Sequence, residues 1–231
     1  MTPNDPRLYE DLATEWWRPN GRFAPLHWLA RERAYLVPEA SRIGATLLDL
    51  GCGGGLLAPH IESKGYTHVG CDIGAAATVI AGEHGVVPVR ADVRSLPFRD
   101  NWFDIVVAGE LLEHVRPLET VIGEAARVLA PGGLLIIDTL APTRRCRFLM
   151  VTVAERVGVI PRGIHDPELF VDPVALTAAC SQTGVDLELR GLRPRLVDAP
   201  RWYSDRRDAM RMATTRSLAM VYQGIGRKRA A

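Results

Sequence analysis

The chain has 231 residues, of which 47% are hydrophobic and 24% are charged, as expected for a globular protein with one full core and little room for a second domain. Its 28 basic and 27 acidic side chains leave a formal net charge of +1, which argues against recruitment of nucleic acid by a global field. No apolar run approaches the ~20 residues of a membrane span. The four cysteines are scattered with no C-x-x-C pair, and we expect no secretory signal. We expect a cytoplasmic protein that binds no nucleic acid.

The N-terminal region, residues 1–42, combines a polar start with many aromatic side chains. The first ten residues are polar and contain proline, which predicts a frayed end. Apolar residues then recur at helical spacing from Tyr9 to Trp17, and a second helix is expected to end near Val37. Aromatic side chains at this density favour a helical lid over a pocket, with a hydrophobic cap on the sheet edge as the alternative.

A glycine-rich turn follows the first predicted strand, residues 47–50, in which Asp49 is the only charged side chain. The glycines are Gly51, Gly53 and Gly55. Glycine lets the backbone turn sharply and lets a ligand approach its amides, and the helix predicted over 57–64 would present unpaired N–H groups. A dinucleotide site needs G-x-G-x-x-G, but Leu56 occupies the last position, and no P-loop lysine follows.

A second predicted strand, residues 68–72, ends in Asp72. An acid about twenty residues after the glycine turn can accept hydrogen bonds from both hydroxyls of a ribose. A ribose site without a pyrophosphate loop indicates an adenosyl compound; the alternative is a packed turn whose glycines serve geometry only. Past the third strand, residues 86–90, Asp92 could accept a hydrogen bond from an adenine amino group or cap a helix.

The alternation of strands and helices continues to the C-terminus and predicts an α/β fold with a Rossmann-like, seven-stranded, mostly parallel sheet. The remaining predicted elements are a helix over 75–84, strands over 103–108 and 134–139, helices over 115–129, 148–159 and 173–183, and strands over 186–192 and near 217–224. Two strands after the last crossover helix predict one antiparallel strand. We divide the domain into a lid (1–42), a cofactor-binding core (43–140), an insertion (141–173) and a C-terminal part of the sheet (174–231).

The stretch from Gly109 to Val115 follows the fourth strand, at the edge where open α/β sheets bind ligands. If it forms the first turn of a helix, Glu110, Glu113 and His114 share one face. Two carboxylates and an imidazole could hold a divalent cation such as Mg, Mn or Zn, which would lower the pKa of a bound phenol. Alternatively His114 acts alone as general base beside a glutamate such as Glu110, or the cluster is structural.

Two further histidines, His27 and His165, lie beside turn residues in segments that should cover the pocket. Each is a candidate for a catalytic or substrate-binding role. The alternative for a lone loop histidine is a hydrogen-bonded surface group.

The glycine turn and Asp72 together resemble the class I S-adenosylmethionine (SAM)-dependent methyltransferases. The whole chain is similar to the UbiG-like 3-O-methyltransferases of ubiquinone biosynthesis, which methylate the catechol oxygen of a polyprenylated intermediate. The stretches that carry this resemblance are Trp16-Trp17 with Phe23-x-Pro25-Leu26-His27, Leu50 to Gly55, Gly70-x-Asp72, Glu110 to Val115, and Pro161 to Asp166 with Phe170-x-x-Pro173.

The resemblance implies SAM as cofactor and an O-methyltransferase acting on a hydroxylated aromatic, a catechol or a prenylated quinone precursor. Arg33 would pair with the cofactor carboxylate, Gly51 and Asp72 would hold the methionine end and the ribose, and the Gly109 backbone would lie near the adenosyl group. The family's metal site would fall on Glu110, Glu113 and His114.

The family's insertion is expected to meet membrane lipid, which here would be a peripheral contact through residues 144–160. Two other activities stay open. One is a C- or N-methyltransferase of small-molecule metabolism, and the other is an adenosyl-binding module without catalysis.

Overall fold

Eight strands form one sheet in the computed structural model, which describes residues 4–5, 7–18, 21–158, 160–204 and 210–230. They are β1 Thr46–Leu50, β2 Thr67–Asp72, β3 Val87–Arg90, β4 Phe103–Gly109, β5 Leu129–Leu140, β6 Val185–Pro194, β7 Met212–Thr215 and β8 Val221–Lys228. Their order across the sheet is β3-β2-β1-β4-β5-β8-β6-β7. The first five strands pair in parallel, whereas β8 is antiparallel to both β5 and β6 and β7 is antiparallel to β6.

Helices cover both faces of this sheet. They are α1 Arg7–Asp11, α2 Ala24–Ala34, α3 Ala58–Ile61, α4 Ala75–Glu83, α5 Leu118–Val128, α6 Arg144–Arg147, α7 Pro173–Gln182 and α8 Ala199–Ser204. Short 3₁₀ turns span Ala13–Glu15, Glu62–Lys64, Pro167–Leu169 and Leu196–Asp198, and a π-helix spans Phe148–Ala154. α5 and α7 pack on one face and α2 and α3 on the other, so the central strands are buried on both sides and read as continuous apolar runs.

The predicted α/β fold with a mostly parallel sheet is confirmed, with one strand more than expected. The additional strand, β7, has four residues and lies at the sheet edge. A strand this short offers too few positions for an alternating pattern to show. Because both β7 and β8 run against the parallel strands, the prediction of a single antiparallel strand was wrong.

Several predicted boundaries also move. α5 begins at Leu118 rather than 115, because residues 110–116 form turns. β5 begins at Leu129 rather than 134, and residues 130–133 lie where the pairing with β4 shifts register between Phe103 and Ile105. The predicted helix over 148–159 becomes the π-helix and turns to residue 158, and residue 159 lies outside the described residues.

The polar start of the chain forms helix α1 from Arg7, so the expectation of a frayed end is wrong for α1. Residues 1–3 and 6 lie outside the described part. Within the described ranges, no helix has the length and apolar character needed to cross a membrane. The segment after α1 brings Trp16 and Phe23 onto the carboxyl ends of the parallel strands, where Leu56 and Ile164 complete an apolar cluster. This cluster covers the edge of the sheet at which the candidate site lies.

Candidate active site

A cavity of about 370 Å³ lies at the carboxyl ends of β1, β2 and β4. Aspartates and glycines from these strand ends line one part of it, and side chains of the insertion line another. Tyr9, Trp16 and Phe23 line it from the N-terminal segment, and their rings stack with centroids 6.1, 6.0 and 4.4 Å apart. Parallel sheets bind ligands at this edge because the loops after neighbouring strands open there together.

The glycine turn has a backbone that only glycine adopts without strain. Gly51, Gly53 and Gly55 have φ values of +65°, +51° and +80°, in the left-handed region that a Cβ disfavours. A Cβ at Gly53 would stand 2.4 Å from the Trp16 ring, and one at Gly55 would stand 3.1 Å from the Ala81 Cα. The turn is therefore held close both to the lid and to α4.

Asp72 ties the glycine turn to the end of β2. Its Oδ2 accepts a hydrogen bond from the Gly53 amide at 2.9 Å, and its Oδ1 accepts one from the Gly74 amide at 2.8 Å. Burial raises the pKa of this carboxyl, and the two amide hydrogen bonds oppose that shift. A carboxylate has about four lone-pair positions, so acceptor capacity remains for a ligand in the cavity that Asp72 lines.

A buried ion pair supports the floor of the cavity beside β4. Arg33 of α2 donates from Nε and Nη2 to Asp138 of β5 at 2.6 and 2.7 Å. Burial acts against the charged guanidinium, but the Asp138 carboxylate outweighs it and raises the pKa of Arg33. Gly109 lies against this pair, where a Cβ would come within 1.8 Å of the Arg33 Cζ. The bidentate pair leaves Nη1 of Arg33 for another acceptor.

The remaining predicted aspartates sit differently. Asp49 is buried in β1, with Oδ2 3.5 Å from Nε2 of His68. Asp92, at the end of β3, pairs with Arg94 at 2.6 Å and accepts a hydrogen bond from the Arg94 amide. This pairing lowers the pKa of Asp92. Both aspartates line the cavity.

The turn 110–116 presents His114 to the cavity with both ring nitrogens engaged. Nδ1 lies 2.7 Å from Oδ1 of Asn4, and Nε2 lies 3.1 Å from the Tyr9 hydroxyl. Because an amide oxygen only accepts, Nδ1 carries the proton and Nε2 accepts from Tyr9. Burial, with a smaller contribution from His165, lowers the pKa of His114 to about 3.

Of the two glutamates of the same turn, Glu113 is fully buried and Glu110 is partly buried, and they have different partners. Oε2 of Glu113 accepts from the Thr139 hydroxyl at 2.7 Å. Glu110 has a φ of +49°, and its amide donates to the carbonyl and to Oδ1 of Asp138 at 2.9 and 3.1 Å. Burial, together with Glu113 and Asp138, raises the pKa of Glu110 well above its ordinary value.

Known proteins share both the sequence and the architecture of this chain. Residues 48–137 match a family model described as a methyltransferase domain. The ubiquinone biosynthesis O-methyltransferase of Nitrosococcus oceani is 32% identical over 202 residues, which cover 83% of this chain and 86% of that protein. The chain belongs to the ubiquinone biosynthesis O-methyltransferase family. It is therefore a SAM-dependent methyltransferase.

Two further matches agree with this placement. The ubiquinone biosynthesis O-methyltransferase of Hahella chejuensis is 33% identical over 208 residues, covering 83% of this chain and 87% of that protein. A SAM-dependent methyltransferase from Thermotoga maritima of known structure aligns with a TM-score of 0.67 over 96% of this chain and 97% of that chain, at 18% identity. The second match supports the fold alone.

Most of the residues predicted to bind the cofactor line one cavity in this methyltransferase. They are Arg33, Asp49, Gly51, Gly53, Asp72, Asp92 and Gly109. Gly55 packs against α4 instead. The glycine cradle and the spare acceptor capacity of Asp72 fit an adenosyl ligand, while the individual binding roles stay predictions.

The predicted metal centre is not supported, because the helix that was to align its ligands does not form. Within the described ranges, no group of three or more His, Cys, Asp and Glu side chains is arranged to hold a metal ion. Both ring nitrogens of His114 are hydrogen-bonded, one to Asn4 and one to Tyr9, and Oε2 of Glu113 accepts a hydrogen bond from Thr139. Oε1 of each glutamate has no hydrogen-bond partner among the described residues, but the three side chains are not arranged as a metal-binding group.

The catalytic roles predicted for His114 and Glu110 stay predictions, and the surroundings of both residues act against them. A pKa of about 3 makes His114 a weak proton acceptor at neutral pH, and burial favours the neutral form of Glu110. Of the two other candidate histidines, His165 lines the cavity. His27 does not line it, and its Nε2 lies 2.8 Å from the carbonyl oxygen of the lining residue Trp16.

The sequence interpretation missed several contributors. Asn4 and Tyr9 lie in the segment expected to fray, yet both contact His114. Asp138 ends a run of four apolar residues in β5, and Glu155 is the one acid in the predicted helix 148–159. A charged side chain inside a buried apolar segment is rare unless it is paired. The charge within an apolar run could therefore have identified Asp138 and Glu155 as paired or functional residues.

Proposed function

We propose that this methyltransferase transfers the methyl group of SAM to a hydroxyl oxygen of an aromatic acceptor, and that the acceptor is a quinone precursor. The observation that carries the proposal is that a single cavity has two halves. The glycine turn and Asp72 line the donor half, and apolar side chains and two imidazoles line the acceptor half. The names of the relatives support an oxygen as the acceptor atom.

The donor half of the cavity would bind SAM through this chain's own backbone and carboxylates. Asp72 would accept hydrogen bonds from the ribose hydroxyls, and the amides of the glycine turn would face the methionine end. Nη1 of Arg33 would receive the methionine carboxylate, since its other nitrogens are held by Asp138. When bound, SAM supplies an electrophilic methyl group on a sulfonium, which an acceptor oxygen must approach in line.

The acceptor half is shaped by the insertion. Met150, Ile160 and Ile164 give it an apolar wall, and the imidazoles of His114 and His165 supply its polar edge. An aromatic ring with an apolar substituent and a hydroxyl matches this division, because each part meets a surface of its own polarity. The stacked lid aromatics limit water at the reacting centre.

The direct test is turnover of methyl-labelled SAM against catechols with and without a prenyl substituent. We expect label on a catechol oxygen, and a prenylated catechol should have the lower KM because its tail buries apolar surface. The matched control is the same ring with that hydroxyl already methylated, which should accept no label at that position. Label on carbon or nitrogen, or SAM binding without any transfer, would contradict the proposal.

We also propose peripheral contact of the insertion with anionic lipid. Arg144 and Arg145 are exposed, and the same insertion exposes Phe148 and Val157, whose exposed fractions are 58% and 66%. Basic side chains attract anionic headgroups, and adjacent apolar side chains can enter the interface. The double variant R144E/R145E should lose sedimentation with phosphatidylserine vesicles, and wild-type binding should weaken with added salt.

The matched control for this experiment is Arg99→Glu. Arg99 is exposed beside Trp102, at the opposite end of β4 from the cavity. Equal binding of wild type and R144E/R145E, or equal loss in R99E, would refute the contact while leaving the methyl transfer proposal intact.

A further inference from the structure

Two titratable side chains of the insertion, Glu155 and His165, are buried together, and His165 also lines the cavity. Each is 7% exposed. Nδ1 of His165 lies 3.7 Å from Oε1 of Glu155. In the described part of the chain, neither of these two atoms has a hydrogen-bond partner. Leaving buried polar atoms unpaired is costly, so this juxtaposition calls for a role.

The position of Glu155 is set by the loop that carries His165. Oε2 of Glu155 accepts a hydrogen bond from the Gly163 amide at 2.8 Å, and Gly163 has a φ of +76°. The left-handed glycine turns the loop back over the carboxylate. One oxygen of the Glu155 carboxylate is therefore held by the Gly163 amide. The other oxygen faces the imidazole of His165, two residues after Gly163.

The His165 ring is clamped between two other rings. It stacks on His114 with centroids 5.6 Å apart and an interplanar angle of 17°, and it meets Phe170 edge to face at 5.9 Å. With the Nδ1 edge turned to Glu155, Nε2 is on the opposite edge of a ring that lines the cavity. A carboxylate at Nδ1 favours the tautomer with the proton there, which leaves the lone pair on Nε2.

His165 differs from its neighbour in having a nitrogen to spare. The Nε2 lone pair of His114 already accepts from Tyr9, whereas no described residue forms a hydrogen bond with Nε2 of His165. The 3.7 Å separation from Glu155 is the loose spacing that catalytic hydrogen bonds often show before substrate is bound.

We propose that His165 is the proton acceptor for the acceptor hydroxyl, and that Glu155 is a positioning residue that orients its imidazole. The assignment rests on the proposed O-methylation. The O–H bond of the acceptor breaks and its proton moves to Nε2 of His165. The oxygen uses the freed electron pair to form the O–CH₃ bond while the S–CH₃ bond breaks and sulfur keeps that pair. The positive charge thus moves from the sulfonium to the imidazolium, and Glu155 stabilises it there.

The titratable groups that face His165 come from two segments. Glu155 faces it from the insertion, and His114 and Glu113 face it from the turn 110–116. Burial raises the pKa of Glu113, and the Thr139 hydroxyl and His165 act in the opposite direction. Removing the Glu155 carboxylate should therefore make a positive charge on the His165 imidazole less stable.

The experiment is a pH profile of methyl transfer with labelled SAM and a catechol on which the wild type is active. The variants are His165→Gln, Glu155→Gln and Glu155→Asp, and SAM affinity is measured alongside by calorimetry. His165→Gln should lower kcat by about a hundredfold or more, keep the SAM Kd and lose the acidic limb. Glu155→Gln should lower kcat and move that limb to lower pH, and Glu155→Asp should restore its position.

The matched control is His60→Gln, a histidine of α3 outside the cavity, which should behave as wild type. Near wild-type kcat with an intact acidic limb in His165→Gln would overturn the proposal. If that variant does not fold, an unmoved limb in Glu155→Gln overturns it as well. Failure of the wild type to methylate any catechol oxygen would instead refute the proposed function, so the two failures are distinct.

Discussion

Asp72→Ala should weaken SAM binding by roughly 1.5–3 kcal/mol for each charged hydrogen bond to the ribose that is lost. Even one such bond corresponds to about a tenfold to hundredfold rise in Kd. The same substitution releases the amides of Gly53 and Gly74, which the carboxylate holds at 2.9 and 2.8 Å. The loop then has to be ordered by the ligand, which weakens binding further. Titration calorimetry with SAM measures the effect.

Two companion variants separate these contributions. Asp72→Asn keeps one acceptor oxygen but loses the charge, so its Kd should fall between those of wild type and Asp72→Ala. Asp100→Ala removes an aspartate paired with Arg127 just before β4, at the far end of that strand from the cavity, and should bind SAM normally. An unchanged Kd in Asp72→Ala would contradict the ribose assignment.

Asp138→Ala should lower the free energy of unfolding by about 3–5 kcal/mol, as expected when one partner of a buried ion pair is removed. The Asp138 side chain is fully buried, and that of Arg33 is 8% exposed, so solvent cannot replace the lost carboxylate. The Glu110 amide also loses its bond to Oδ1 of Asp138. Urea unfolding followed by circular dichroism measures the change.

The double variant Arg33→Met with Asp138→Leu removes both charges and should recover much of that loss. Asp186→Ala breaks an exposed pair with Arg229 instead and should leave stability nearly unchanged. If Asp138→Ala were no less stable than Asp186→Ala, the buried pair would not be the support that its geometry indicates. SAM binding by the double variant would further show whether the Arg33 charge is needed for the cofactor.

The sequence predicted the parts of this methyltransferase that depend on neighbouring residues. The segment from Leu50 to Leu56 is one example. Its residues indicate where the first strand ends, which positions adopt the left-handed conformation, and that the dinucleotide pattern is absent. Asp72 follows at the end of the next buried strand. These features can be predicted from the sequence because hydrophobic runs and glycine spacing depend directly on local backbone geometry.

The turn 110–116 shows where the same reasoning fails. The spacing of Glu110, Glu113 and His114 is compatible with a helix, but the Glu110 amide bonds to Asp138 across the sheet and the backbone leaves the helical region. The helix begins only after Pro117. A partner in β5 thus overrode the local pattern, and the helix that was to align the predicted metal ligands does not form.

The sequence alone predicted an α/β domain, and it predicted an adenosyl-binding site in the turns after its first two strands. The tertiary structure decided which distant side chains meet there: Arg33 with Asp138, 105 positions apart, and Tyr9 with His114, also 105 apart. It also placed the loop of His165 over that site. The hydrophobic periodicity of a segment indicates which of its faces is buried. Polar contacts between distant residues depend instead on how the segments pack together, and they produce no periodic pattern in the sequence.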